Sequence, residues 1–75
     1  MYGGNLYRYS KHAKDQKQER AITDKEIEAC LDNWDTQNTD KKGNPVYRVK
    51  LEGGRGIKVV LAKDDAQFII TVADY

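Results

Sequence analysis

Apolar positions are sparse in the first third of the chain and then fall into register. Ile27, Cys30, Leu31 and Trp34 stand at i, i+3, i+4 and i+7, one stripe of a helix. Thr23 with Glu26 reads as a capping box, and Ile22 with Ile27 has the spacing of a hydrophobic staple. Asp24 and Glu26 in the first turn suit the positive end of the helix dipole. These signals predict a helix over about 24–34, with Trp34 in the core. Upstream, Ser10 is placed to cap a more polar helix over about 11–20, preceded by a short, weakly alternating strand at 6–9.

Downstream the period changes from that of a helix to two. In VYRVKLE (46–52), Tyr47, Val49 and Leu51 oppose Arg48, Lys50 and Glu52. GIKVVLA (56–62) directs Ile57, Val59 and Leu61 one way and Lys58 and Val60 the other. AQFIITVADY (66–75) directs Phe68, Ile70 and Val72 inward and Ile69 and Thr71 outward. The connections GGR and KDD are short enough for hairpins, so the strands should form an antiparallel meander. DTQNTDKKGNP (35–45) reads as a polar loop, broken by Gly43-Asn44-Pro45. The expected class is α+β: two N-terminal helices on one face of a three- to four-stranded antiparallel sheet, in the order (β)ααβββ.

Composition narrows the class. Seventy-five residues make one small domain over 1–75, and 39% apolar with 33% charged residues suits a soluble globule rather than a disordered tail. No apolar run approaches the ~20 residues of a membrane span. MYGGNLYRYSK lacks the basic start and apolar run of a signal peptide. Cys30 is the one cysteine, so no internal disulfide forms, and with a single histidine it builds no structural zinc site. This fits a reducing cytoplasm, although a translocated toxin domain would look the same. Net charge is only +1, but it is unevenly spread. Arg8, Lys11, Lys14, Lys17 and Arg20 give a basic stretch, and Asp24, Glu26, Glu28, Asp32 and Asp35 an acidic helix.

That layout leaves one sheet face uncovered by helices. It would present Arg48, Lys50, Lys58 and Thr71, with Val60 and Ile69 beside them. Such a face is either an ordinary solvated surface or a site for a polyanion. His12 would lie in the first turn behind Ser10, where the helix dipole disfavours the imidazolium and unpaired backbone amides attract phosphate. A neutral base beside a phosphate site, with cations nearby, is the equipment of metal-independent RNA cleavage; a surface histidine without a role is the alternative. Arg20 closes the same helix two turns on, where it can equally serve the helix dipole or pair with Glu19 or Asp24. Cys30, on the apolar stripe, reads as a buried inert thiol. Asp64-Asp65 reads as a turn, and EGGRG, without a Walker lysine, as a hairpin loop. No metal or cofactor is implied.

KHAKDQKQERAITDKEIEACL, together with the ending KVVLAKDDAQFIITVADY, resembles a family of small bacterial proteins of unassigned function grouped with the RelE- and BrnT-type toxins. His-Ala followed by Arg-x-Ile-Thr is the distinctive part, and the likeness runs over about residues 6–75. The resemblance implies the RelE-like fold shared with barnase, EndoU and the colicin ribonucleases, whose open sheet face holds RNA. It places His12 and Arg20 on the family's N-terminal pair. Thr71 and Tyr75 fall where such ribonucleases put a phosphate-contacting hydroxyl. Gln16 stands where the family has an arginine, Lys17 where it has an apolar residue, and Ala21 where it has a glycine.

The leading expectation is therefore a metal-independent endoribonuclease toxin acting on tRNA or mRNA in the cytoplasm. It would be either a stand-alone toxin or the C-terminal warhead of a larger effector. His12, Arg20, Thr71 and Tyr75 would be its catalytic residues, and Lys14, Arg48, Lys50 and Lys58 would bind substrate. An acidic antitoxin or immunity protein would neutralise it. The alternatives are a non-catalytic RNA- or protein-binding module on the same fold, such as a phage-type inhibitor, and a small regulatory protein docking through its acidic helix.

Overall fold

A computed structural model describes residues 7–75 of the chain. Strand β1 spans Arg8–Tyr9, helix α1 Lys11–Glu19 and helix α2 Asp24–Asp32. Four strands follow: β2 Thr36–Thr39, β3 Pro45–Lys50, β4 Gly56–Ala62 and β5 Asp65–Asp74. They form one sheet in the order β1-β5-β4-β3-β2, with β1 parallel to β5 and the other pairs antiparallel. The α+β class is as expected, but the sheet is mixed and has five strands. The readings of Leu6 and of the N-terminal MYGGNL fall outside the described residues.

Both helices begin where their caps predict. Ser10 Oγ accepts the Ala13 N–H at 3.0 Å, and the Thr23–Glu26 capping box closes in both directions. Helix α1 ends in a Schellman motif: the Ala21 N–H donates to the Gln18 carbonyl and the Ile22 N–H to the Lys17 carbonyl. Helix α2 stops at Asp32, two residues short of expectation, with Asn33 as its C-cap. Trp34 thus leaves the helical stripe. It is 46% exposed, not buried in the core, and its ring centroid lies 5.9 Å from that of Tyr47.

The remaining corrections concern strands. The segment expected to be a loop over 35–45 contains β2, whose TQNT sequence is exposed at every position and so shows no alternation. Only residues 40–44 turn. There the Asp40 carboxylate accepts the Lys42 and Asn44 backbone amides, each at 2.9 Å, and Gly43 supplies φ = 89°.

In β5 the alternation breaks. Val60 pairs with Thr71 but Leu61 with Ile69, so Ile70 is an extra residue in a bulge. Ile69 and Val72 consequently both reach the core, against the expectation that Ile69 faced outward and Phe68 and Ile70 inward. Ala13, Ile22, Ile27, Cys30, Val49, Ile57, Val59, Leu61, Ile69 and Val72 make one buried cluster between helices and sheet. Burial pushes the Cys30 thiol up to about 11, as expected of an inert group.

Candidate functional site

The bulge in β5 positions the N-terminus of α1. Its irregular backbone is held by Ser10, whose N–H donates to the Ile69 carbonyl at 2.9 Å and whose Oγ donates to the Ile70 carbonyl at 3.0 Å. Further along α1, Gln16 Oε1 accepts the Val72 N–H at 3.0 Å. Three hydrogen bonds thus bind α1 and its N-cap along the edge of β5. The first turn of α1, which carries His12, therefore lies beside the face of the sheet that the helices leave open.

His12 lines an open hollow of about 660 Å³ on that face. Across from it stand Arg48 of β3, Lys58 of β4 and Thr71 of β5, over a floor that includes Val46, Val60 and Ile70. Arg48 and Lys58 are strand partners, and Val60 pairs with Thr71, so the sheet register fixes the spacing of the polar groups. The Asn38 Oδ1 accepts from Arg48 Nη1 at 2.7 Å and holds the guanidinium in place. The β2–β3 turn closes the far wall with Lys41 and Lys42.

The electrostatics favour an anion. Four cationic side chains line the hollow (Lys41, Lys42, Arg48 and Lys58) against a single carboxylate, Asp40. The Asp40 oxygens are occupied by the amides of the turn, led by that of Asn44, which hold its carboxyl below the usual carboxylate range. The donors that remain are ammonium, guanidinium, hydroxyl and imidazole groups, a set that suits a phosphate.

Tyr75 extends the same face. It is 49% exposed, with the Arg48 guanidinium 5.7 Å and the Lys50 ammonium 5.2 Å from its ring centroid. Gly56 is required beneath it, because a Cβ there would lie 2.4 Å from the Tyr75 carbonyl oxygen. Neither Tyr75 nor Lys50 lines the hollow itself; Tyr75 adjoins it through Arg48, and Lys50 through Tyr75.

Two expected site residues lie elsewhere. Arg20 does not line the hollow. It points toward Glu19, at 3.7 Å, and Asp74, at 4.0 Å, because the eight residues from His12 carry it to the other end of α1. Lys14 lines a separate depression of about 400 Å³ with Tyr9, Lys17, Gln18 and Ile22. Conversely, Asn38, Lys41 and Lys42 join the hollow although the sequence placed them in a loop; the paired lysines were the available signal. Arg55 joins segments that no local sequence signal connects. It donates to the Arg20 and Ala21 carbonyls and pairs with Glu26 and Asp74, so it ties the helix–helix turn to the sheet.

With this geometry in view, residues 9–74 match the family described as Domain of unknown function (DUF4258). The chain belongs to that family. The match takes in Ser10, His12 and every cation of the hollow, so the hollow lies within the DUF4258 domain. No curated protein and no solved structure matches the chain.

Proposed function

We propose that this DUF4258 domain is a metal-independent endoribonuclease of the toxin type. What supports the reading is the hollow that joins His12 to Arg48, Lys58 and Thr71. In the proposed reaction the 2′-oxygen of a ribose attacks the adjacent phosphorus and the bond to the 5′-oxygen breaks. The products are a 2′,3′-cyclic phosphate and a 5′-hydroxyl. His12 takes the proton of the 2′-hydroxyl while water protonates the leaving 5′-oxygen, or, in the reverse assignment, water takes the first proton and His12 supplies the second. Arg48 and Lys58 neutralise the charge that builds on the phosphorane, where electrostatic stabilisation acts. Thr71 donates to a phosphate oxygen, and Tyr75 with Lys50 orients Arg48. Lys41 and Lys42 guide the strand. Arg20 and Lys14, away from the hollow, serve approach or structure rather than chemistry.

The resemblance to a family grouped with the RelE- and BrnT-type toxins supports the same reading, in which tRNA or mRNA would be the substrate and the cytoplasm the place of action. No helix among the described residues is long and apolar enough to cross a membrane. A toxin of this kind requires an antitoxin or immunity protein.

One observation favours a second reading. Gln16, at the family's arginine position, is engaged with the Val72 amide and adds no charge. A non-catalytic RNA-binding module would need nothing more than the remaining cations. Expression in a bacterial host separates the two. The ribonuclease arrests growth and His12→Ala restores it while the protein stays folded; harmless wild-type expression, with salt-dependent RNA binding but intact RNA, supports the module.

A further inference from the structure

The two edges of the sheet are finished differently. At one edge, β1 pairs with Phe68 and Ile69, and beyond it Ser10 and Gln16 of the α1 segment bond the β5 backbone. The other edge is β2, and no described strand pairs with its outer side. All four of its residues are exposed, and TQNT carries none of the charges or prolines that ordinarily blunt an edge.

The hydrogen-bond phase shows which groups face outward. The Asp40 N–H donates to the Asn44 carbonyl at 3.0 Å, and bonded pairs recur at every second residue of an antiparallel ladder. Thr36 and Asn38 therefore turn their main chain toward β3, while Gln37 and Thr39 turn theirs outward. Pro45, opposite Thr39, fits this phase because the ladder to β2 requires no N–H there.

The two faces beside this edge differ in chemistry. On the open face, Asn38 holds Arg48, and past the end of β2 the turn adds Lys41 and Lys42 beside Asp40, whose carboxylate is taken up by the turn amides. On the helix side, exposed Trp34 packs against Tyr47, the strand partner of Gln37. An incoming strand would meet cations with one set of alternate side chains and an aromatic surface with the other.

We propose that β2 is the docking edge for an extended acidic segment of a partner protein, added as a sixth strand with acidic side chains toward Arg48, Lys41 and Lys42 and apolar ones over Trp34. Since those cations also line the hollow, the added strand would displace a phosphate chain from it. The partner is then an inhibitor, and that consequence rests on the ribonuclease reading; the docking does not.

The probe is a peptide of about ten residues alternating glutamate and valine, compared by calorimetry with a scrambled peptide of the same composition. The full chain should bind the alternating peptide about tenfold more tightly or better, and less so as salt rises. Gln37→Pro removes one outward N–H without touching the ladder to β3, and should cost about tenfold where Gln37→Ala costs little. N-methylation of alternate peptide amides gives the same reading if that variant fails to fold. Equal affinity for both peptides would overturn the proposal. So would binding indifferent to Gln37→Pro, or self-association of the chain abolished by that variant, which would assign the edge to a second copy. RNA cleavage is assayed separately. Docking without cleavage refutes the ribonuclease reading alone, and cleavage without docking refutes this inference alone.

Discussion

Ala21 adopts φ = 51°, a left-handed conformation in which an L side chain crowds the following carbonyl. The position is the C′ residue of α1, where glycine relieves that strain. Ala21→Gly should therefore raise stability by about 1 kcal/mol in urea denaturation, because relief of the left-handed strain exceeds the entropy cost of glycine. An unchanged or lower midpoint would contradict the strain. Single residues also show how far the sequence could be read. Ser10 and Thr23 announced their caps, since a hydroxyl before a helix has a local partner. Gln16 did not announce its role, because its partner, the Val72 amide, is 56 positions away.

At the level of elements, the helices were legible and the sheet edges were not. Capping boxes and apolar stripes are local signals, and α2 ran short only because Asn33 ends it before Trp34 can join the stripe. β2 is polar on both faces, so no periodicity marks it; pairing with β3 alone makes it a strand. The bulge at Ile70 reverses the alternation that precedes it, which exchanged the expected roles of Ile69 and Ile70. The cations of the open face were legible because Arg48 and Lys58 keep strict alternation up to that point. Arg55 joins elements that the sequence keeps apart. Arg55→Ala should cost about 1–3 kcal/mol, since it strips charged donors from the carbonyls that end α1. Arg55→Lys should recover little, as a single ammonium cannot reproduce the fork. Urea midpoints for the two variants check this, and full rescue by lysine would refute the bidentate role.

Across the whole molecule, Asp24 links three elements: Lys17 of α1 lies 2.6 Å and the Tyr9 hydroxyl of β1 2.8 Å from its Oδ1, at the start of α2. Those bonds, that of Lys17 first, hold its carboxyl below the usual carboxylate range. A lowered value stabilises the fold above the unfolded carboxyl's value of about 3.9, and this contribution is lost as pH falls through the folded value. Stability should thus decline on acidification below about pH 4, and Asp24→Asn should lower stability at neutral pH while flattening that decline. Parallel acid titrations of thermal midpoint would show it; identical slopes would refute it.

The same integration of distant segments makes the open face: α1 brings His12, β3 and β4 bring Arg48 and Lys58, and β5 brings Thr71. The most direct test is cleavage of single-stranded RNA by the purified chain in EDTA, with product ends identified. The account predicts 2′,3′-cyclic phosphate ends, a loss of about 10²–10⁴ in rate for His12→Ala at unchanged thermal midpoint, and near-normal rate for Arg20→Ala. Intact RNA with the wild-type chain, or cleavage that survives His12→Ala, would contradict it.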